Sequence, residues 1–448
     1  MPPHPGLLPA ELETRNDFKL QIENLKLKLD DHDSSLARTA WLVVVLLVPV
    51  ALLNYLDRQM LATMKSSMTG QIPDIKTEAN WGLALGAFKW VYALFSPVGG
   101  YIADRFSRRR VIAASLFVWS AVTLATAFVE TFDQLLIARA CMGLSEAFYM
   151  PTALALIADF HLGSTRSRAV GLHQMGMYAG MIIGGFAGYV AENPSLGWRC
   201  AFGTCGVVGI VYSLPLLVFL RNPPAPVEHM SPAQPATFTN RVAKLPPLAA
   251  VSELFGNIGF VLLVLYFTLP ALAGWVVKDW MPKILMQKFD LPQGQAGISA
   301  VLYVTVASIA GVGIGGWMAD WWMRRSVRGR IYVSAIGMSF FLPALFGVGN
   351  AATLAAAIGF LILFGIGWGF FDCNNMPILC QIVRPELRAT GYGFMNLVSI
   401  SCGGFADWGF GMLQDRGVPL NVIFGVFAGI ALVSVAIVLS IRPVQPVG

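Results

Sequence analysis

The feature that most restricts the fold of this chain is a series of twelve apolar segments, each long enough to cross a lipid bilayer. We number them span 1 to span 12, and their ranges are 39–64, 82–104, 110–130, 133–160, 167–191, 199–220, 250–286, 295–322, 329–348, 351–382, 388–414 and 419–441. Only 12% of the 448 residues are charged, against about 25% in a typical soluble domain. Because backbone polar groups in lipid must be satisfied within their own segment, we predict an all-α integral membrane protein with twelve transmembrane helices.

The polar segments between the spans alternate in their content of lysine and arginine. Basic residues are frequent in the tail 1–38, in the linker 222–249 and in the loops that follow spans 2, 4, 8 and 10. The loops that follow spans 3 and 9 contain none. Since basic loops stay on the cytoplasmic side, we predict that both termini are cytoplasmic, and we expect a bacterial inner membrane. Within the tail, residues 18–29 predict a short amphipathic helix.

The chain repeats itself, which predicts two six-helix bundles related by pseudo-symmetry. The segment GGYIADRFSRRR at 99–110 returns as GGWMADWWMRRS at 315–326, and MPTALALIADF at 150–160 returns as MPILCQIV at 376–383. The predicted division is a cytoplasmic segment, an N-terminal bundle, a cytoplasmic linker, a C-terminal bundle and a tail, at 1–38, 39–221, 222–249, 250–443 and 444–448.

The repeated glycine and aspartate, four residues apart, lie where spans 2 and 8 meet basic loops. One interpretation is a surface ion pair of Asp104 with Arg108 or Arg109. The other is a latch that holds the two halves together in one conformation and breaks in the other. The residues of this predicted latch are Gly100, Asp104, Arg105, Arg108, Asp320 and Arg324.

With these motifs and six plus six spans, the chain from about 39 to 443 resembles the major facilitator superfamily. The resemblance implies two bundles that rock about a central site. Two positions depart from the motif: Ser107 stands where glycine is usual, and Trp321 stands where the second copy would have arginine.

Ionisable residues inside spans are costly in lipid and mark function by default. They are Asp57, Arg58, Lys89, Arg139, Glu146, Lys278, Asp279, Asp372 and Asp407. Arg139 and Glu146 are two helical turns apart and therefore share a face. Asp372 precedes Pro377 by five residues, as Glu146 precedes a proline in the first half, so the two carboxylates occupy equivalent places.

Each of these residues also has a structural interpretation. Asp57 and Arg58 could pair with neighbouring helices only to fix packing, and Arg139 could neutralise Glu146 permanently. Lys278 and its neighbouring aspartate could be half-solvated near the outer end of span 7. Asp372 could form a structural hydrogen bond with Asn374 or Asn375. Two acids and two bases on two spans exceed what packing requires, which favours a functional site.

The sequences NYLDR in span 1, WVYALFSPVGG in span 2 and R-x6-E in span 4 resemble the anion:cation symporter branch of the superfamily. That resemblance implies proton coupling by Asp57 and Glu146, with Arg139 as the coupling partner. It implies substrate binding by Arg58 and Tyr92. A glutamine of that branch falls at Met177 here, with Gln174 one turn away, and the candidate substrate-binding set is completed by Gln174, Lys89, Lys278 and Asp372.

The resulting hypothesis is a secondary active transporter of a small organic anion, such as a sugar acid, coupled to protons by alternating access. The anion binds Arg58 and weakens its hold on Asp57; both carboxylates are then protonated, and the neutral site crosses. We expect no cofactor and no metal, a monomer in the bilayer, and protons as the coupling ion, although the sequence leaves sodium open.

The alternative within transport is a Spinster-like carrier of lysolipids or sphingolipids, because that branch shares the Asp-Arg pair of span 1. A non-transporting sensor is a further alternative, for which no sizeable output domain is visible. An enzyme is not expected, because no nucleophile–base pair or histidine cluster occurs. A nucleic-acid partner is not expected either, because the net charge of +6 comes from basic residues in short loops.

Overall fold

The computed structural model describes residues 37–161, 165–222, 247–384 and 387–443, apart from the surroundings of a few helical residues, among them Gly100 and Asp104. These residues form sixteen α-helices and one 3₁₀ turn, Pro73–Lys76, and contain no β-strand. The first eight helices are α1 Ala37–Thr63, α2 Lys65–Thr69, α3 Glu78–Arg105, α4 Arg108–Thr126, α5 Phe132–Glu146, α6 Tyr149–Phe160, α7 Thr165–Gly185 and α8 Ala187–Glu192. The others are α9 Gly197–Phe219, α10 Pro247–Gly256, α11 Ile258–Phe289, α12 Gln293–Met323, α13 Gly329–Asn350, α14 Leu354–Ile382, α15 Arg388–Asp415 and α16 Leu420–Ser440.

The all-α membrane architecture predicted from the sequence is confirmed. Nine stretches of the described chain are long and apolar enough to cross a membrane, α5 and α6 together counting as one. The long helices α3, α7 and α15 occupy the positions of spans 2, 5 and 11. The tail with its predicted amphipathic helix, most of the linker and the last five residues lie outside the described part of the chain.

Spans 4, 5 and 7 are each built from two consecutive helices rather than from one. In span 4, α5 begins at a capping box in which Thr131 and Gln134 exchange hydrogen bonds, and it ends at Glu146. Pro151 follows in the first turn of α6, where a missing N–H is tolerated but a continuous helix would clash. The interruption places Glu146 at a helix end.

The halves, α1–α9 and α10–α16, pack against each other through α3 along α15 and through α7 and α8 along α12. We use "outer end" for the end of the bundle where α1 ends and α3 begins, following the predicted orientation. There Ser67 N–H donates to Gln293 at 2.9 Å, and Lys283 lies 3.0 Å from Glu78. The backbone N–H of Glu78 donates to Asp415 at 2.9 Å. These contacts between the halves close the outer end.

Candidate functional site

The centre of the N-terminal half holds a buried ion pair between α1 and α5. The Nε atom of Arg58 donates to Oε2 of Glu146 at 2.8 Å, and the Nη2 atom of Arg58 lies 2.6 Å from the same oxygen. The Glu146 side chain is fully buried, and that of Arg58 is 17% exposed. An arginine so placed reaches both a carboxylate and the open centre of the protein.

Asp57 is held by a different partner. Its Oδ2 atom accepts a hydrogen bond from the hydroxyl of Thr123 on α4, and its Oδ1 atom is buried with no hydrogen-bond partner among the described residues. The expected hold of Arg58 on Asp57 is therefore replaced by the pair of Arg58 with Glu146. The reason is geometric, because adjacent residues on a helix point in different directions, whereas α5 presents Glu146 to the face that carries Arg58.

Arg139 does not form the ion pair with Glu146 that two-turn spacing suggested. Its Nη1 atom lies 3.0 Å from the sulfur of Met142, and its guanidinium lies 4.7 Å from the ring centre of Phe88. Arg58 lies 4.6 Å from the same ring and 5.0 Å from that of Tyr92. Phe88 thus separates two guanidinium groups and stabilises both through its π face.

The C-terminal half contributes a second cation. The ammonium group of Lys278 on α11 lies 4.5 Å from the ring centre of Trp368 and 5.5 Å from that of Trp275. Asp372 on α14 interacts electrostatically with Lys278 and is solvent-exposed, although it lies in the middle of a membrane-spanning helix. Asn374 donates to the carbonyl of Phe370 rather than to Asp372.

Lys89, expected to be an additional cation for the substrate, is neutralised by the other half. Its ammonium group contacts the carboxylates of Asp279 on α11 and Asp407 on α15. Asp407 is fully buried. Arg139 is only 3% exposed, so the half-buried Arg58 and Lys278 are the cations most accessible from the centre in this state.

Two adjoining pockets connect these groups. One is lined by the cations Arg58, Lys89, Arg139 and Lys278, by Asp279, and by further polar and apolar residues. The other is lined by residues that include Gln59, Tyr178, Lys278 and Trp368. Lys278 lines both pockets, and so does Gln59. Gln174 is half-buried on α7 and interacts with Tyr178, which lines the second pocket. The pockets bring residues of spans 1, 2, 4, 5, 7, 8 and 10 to one central place.

The latch residues that the structure describes make contacts within each half. Arg108 pairs with Asp159 on α6 and donates to the carbonyl of Ala155 at 3.1 Å. Asp320 lies 3.7 Å from Arg330. Arg324 caps α12 at an exposed position, and Arg105 is likewise exposed. The surroundings of Gly100 and Asp104 lie outside the described part, so the latch between the halves stays a prediction.

Sequence reasoning missed Thr123, Phe88 and Glu78. Thr123 and Phe88 carry no charge and are ordinary residues in apolar spans. Glu78 lies in a loop-like stretch between two spans, where a charge is unremarkable. Their importance becomes visible only from the residues that they contact, and those residues come from other helices.

The fold and the charged centre define a multi-pass membrane transporter rather than a soluble protein. The family model described as Major Facilitator Superfamily matches residues 47–406, and the chain belongs to this superfamily.

Among curated proteins, the chain is 28% identical to Protein spinster homolog 1 of Homo sapiens over 84% of this chain and 73% of that protein. It is 24% identical to the Sphingosine-1-phosphate transporter SPNS2 of Xenopus tropicalis over 83% of this chain and 71% of that protein. These relatives favour the Spinster-like alternative over the sugar-acid symporter branch.

Among solved structures, a bacterial homolog of the human lysosomal transporter Spinster, in an inward-facing and unoccupied conformation, gives a TM-score of 0.72 at 20% identity. That match covers 90% of this chain and 95% of the other. A D-xylose-proton symporter gives a TM-score of 0.71 at 15% identity, covering 90% and 98%. Both likenesses show the fold alone.

Proposed function

We propose that the chain is a proton-coupled carrier of single-chain lipids with an anionic head group, working by alternating access. The observation that carries this proposal is an aromatic wall that starts at a cation. From Lys278, rings follow one another through Trp368, Phe371 and Phe267 to Tyr392, with centres 5.3, 5.8 and 6.3 Å apart. An anionic head at Lys278 and an acyl chain along the rings match this arrangement.

The relatives support the same choice, since one of them is named as a transporter of sphingosine-1-phosphate. A phosphate head requires cations and hydrogen-bond donors, which Arg58 and Lys278 supply. A sugar acid would use the same cations but would leave the aromatic wall without a role. The small organic anion is therefore the second candidate, favoured only by the fork geometry of Arg58, which suits a carboxylate equally well.

In this proposal Asp57 and Glu146 carry the coupling protons. Glu146 forms an ion pair with Arg58, so an anion that binds Arg58 in its place leaves the Glu146 carboxylate buried without its cation. A buried carboxylate in that position takes up a proton, because the charged form is costly there. Asp57, with one oxygen unpartnered, accepts the second proton. The site is then close to neutral and can pass through the occluded state.

The function is tested with purified protein in liposomes under an imposed pH gradient. The probes are radiolabelled sphingosine-1-phosphate, a lysophospholipid and glucuronate. We expect gradient-dependent flux of the two lipids and none of glucuronate. Lys278→Gln should reduce lipid flux at least tenfold, whereas Lys76→Gln, at an exposed lysine away from the centre, should leave it unchanged. Flux of glucuronate without lipid flux would establish the second candidate instead.

Coupling is tested separately with Asp57→Asn and Glu146→Gln. Each should retain lipid exchange at equal pH and lose accumulation driven by the gradient. Asp133→Asn, at an acid in the first turn of α5, serves as the matched control. Gradient-driven accumulation that survives both central substitutions would overturn the coupling role.

A further inference from the structure

A second acid–base cluster lies at the seam between the halves and has no part in the coupling scheme above. Lys89 belongs to α3 in the N-terminal half, whereas its two partners, Asp279 and Asp407, belong to α11 and α15 in the C-terminal half. Lys89 is 4% exposed and Asp407 is fully buried. The indole N–H of Trp280 donates to the other oxygen of Asp407 at 3.2 Å. The cluster is thus a built site that bridges the two bundles.

The two aspartates differ in the cations around them. Asp279 faces the central pocket, where Lys278 and Arg139 also interact with it electrostatically. For Asp407 the interacting cation is Lys89, and the neighbouring carboxylate of Asp279 opposes its charge. One lysine between two carboxylates leaves an excess negative charge. Lys278 and Arg139 offset this charge at Asp279, whereas Lys89 is the cation that offsets it at Asp407.

Opening of the outer end must separate α3 from α15 and α11, because α3 packs along α15 and its residues Lys89 and Glu78 pair with residues of α11. Lys89 then moves away with its own half. Asp407 and Asp279 stay together in one half, and the repulsion between two adjacent carboxylates that have lost their shared lysine favours protonation of one of them. Breaking a buried ion pair by removing one partner is strongly unfavourable.

We propose that Asp407, together with Asp279, is a second proton-binding site that is loaded when the outer end opens and emptied when Lys89 returns. The proton forms an O–H bond on a carboxylate oxygen in the open state. On closure the ammonium group of Lys89 replaces it, and the proton leaves through the central pocket that Asp279 lines. This site is independent of the substrate and of Asp57 and Glu146, and it couples proton binding directly to the conformational change.

The test uses full-length, substrate-free protein in which the native cysteines are replaced and Asp57→Asn and Glu146→Gln remove the first coupling site. Spin labels at Lys76 and Gln287, exposed at the outer ends of the two halves, report opening by pulsed electron paramagnetic resonance. Between pH 8 and pH 5 the ratio of open to closed molecules should rise, by up to about tenfold per pH unit for each proton linked.

Asp407→Asn should abolish this pH dependence, because it leaves Lys89 with Asp279 in a neutral pair. Asp415→Asn is the matched control: it also weakens a contact between the halves, so it should raise the open fraction at every pH but keep the slope. If Asp407→Asn does not fold, the charge-balanced Lys89→Gln, Asp407→Asn double variant replaces it, with the same loss of slope expected.

A slope that persists in Asp407→Asn, or no slope in the starting protein, would overturn the proposal. So would a ratio that follows sodium concentration at constant pH, measured against choline chloride, since the site would then bind a metal cation. Failure of lipid transport in liposomes would leave this result unaffected, because no substrate is present.

Discussion

Gly82 on α3 is the position where a single methyl group should change the conformation of the protein. A Cβ atom there would lie 2.3 Å from the backbone carbonyl oxygen of Asp407 and 2.8 Å from the Cα atom of Trp408. Both obstacles are backbone atoms of the opposite half, so no side chain can rotate away. Normal contact needs a separation of about 3.5 Å, so α3 and α15 would have to move apart by roughly 1 Å.

Gly82→Ala therefore penalises the state in which the outer end is closed and leaves the open state untouched. Overpacking of this kind costs about 1–3 kcal/mol. At about 1.4 kcal/mol per factor of ten, the ratio of open to closed molecules should rise by about 5-fold to 100-fold. Spin labels at Lys76 and Gln287 measure that ratio from the distance distribution.

Two alanine substitutions separate this effect from others. Gly409→Ala on α15 meets no atom within 4 Å and should leave the distances unchanged. Gly180→Ala clashes with the carbonyl of Leu52, 2.2 Å away in the same half, and should lower thermal stability without favouring the open state. If Gly82→Ala and Gly409→Ala gave the same distance distribution, the seam would not be what closes the outer end.

Three further substitutions probe single contacts. Lys283→Gln removes the partner that Glu78 has in the opposite half. Loss of a charged hydrogen bond worth about 1.5 kcal/mol should raise the ratio of open to closed molecules roughly tenfold. Spin-label distances equal to those of the parent would contradict this. Arg58→Lys loses the planar fork and should weaken lysolipid binding at least tenfold in a thermal-shift titration, whereas affinity within twofold of the parent would refute a head-group role. Asp159→Asn removes a partly exposed ion pair and should lower the free energy of unfolding by less than about 1 kcal/mol in denaturant titration; a larger loss would show that this pair holds the half together.

Much of the site could be located from the sequence, because charges in apolar spans are rare and costly. Arg58, Glu146 and Lys278 were all selected on that ground, and the structure brings them to the central pockets or their immediate surroundings. The aromatic wall was less predictable. Aromatic residues are frequent in the spans, and which of them contact one another depends on how each helix is rotated about its axis.

The pairing of the charges was the part that sequence spacing predicted poorly. The spacing of Arg139 and Glu146 predicts that they share a helical face and pair. In the structure α5 ends at Glu146, before Pro151, and α1 approaches this end, so Glu146 pairs with Arg58 instead. The sequence predicts that Lys89 is free to bind substrate, because no residue close to it in span 2 carries a negative charge. Its partners are 190 and 318 residues away and come from the other half.

The sequence by itself determined the class of the protein, the rough limits of its apolar spans, the repeat and which charges inside the spans are candidates for function. These properties are local: a run of about 20 apolar residues must be helical in lipid, whatever surrounds it. The tertiary structure alone decided which charge neutralises which, and that the halves meet at the outer end. Those outcomes depend on the rotation and crossing of helices distant in sequence. Close approach at glycines and the high cost of an unpaired buried charge then select one arrangement among many.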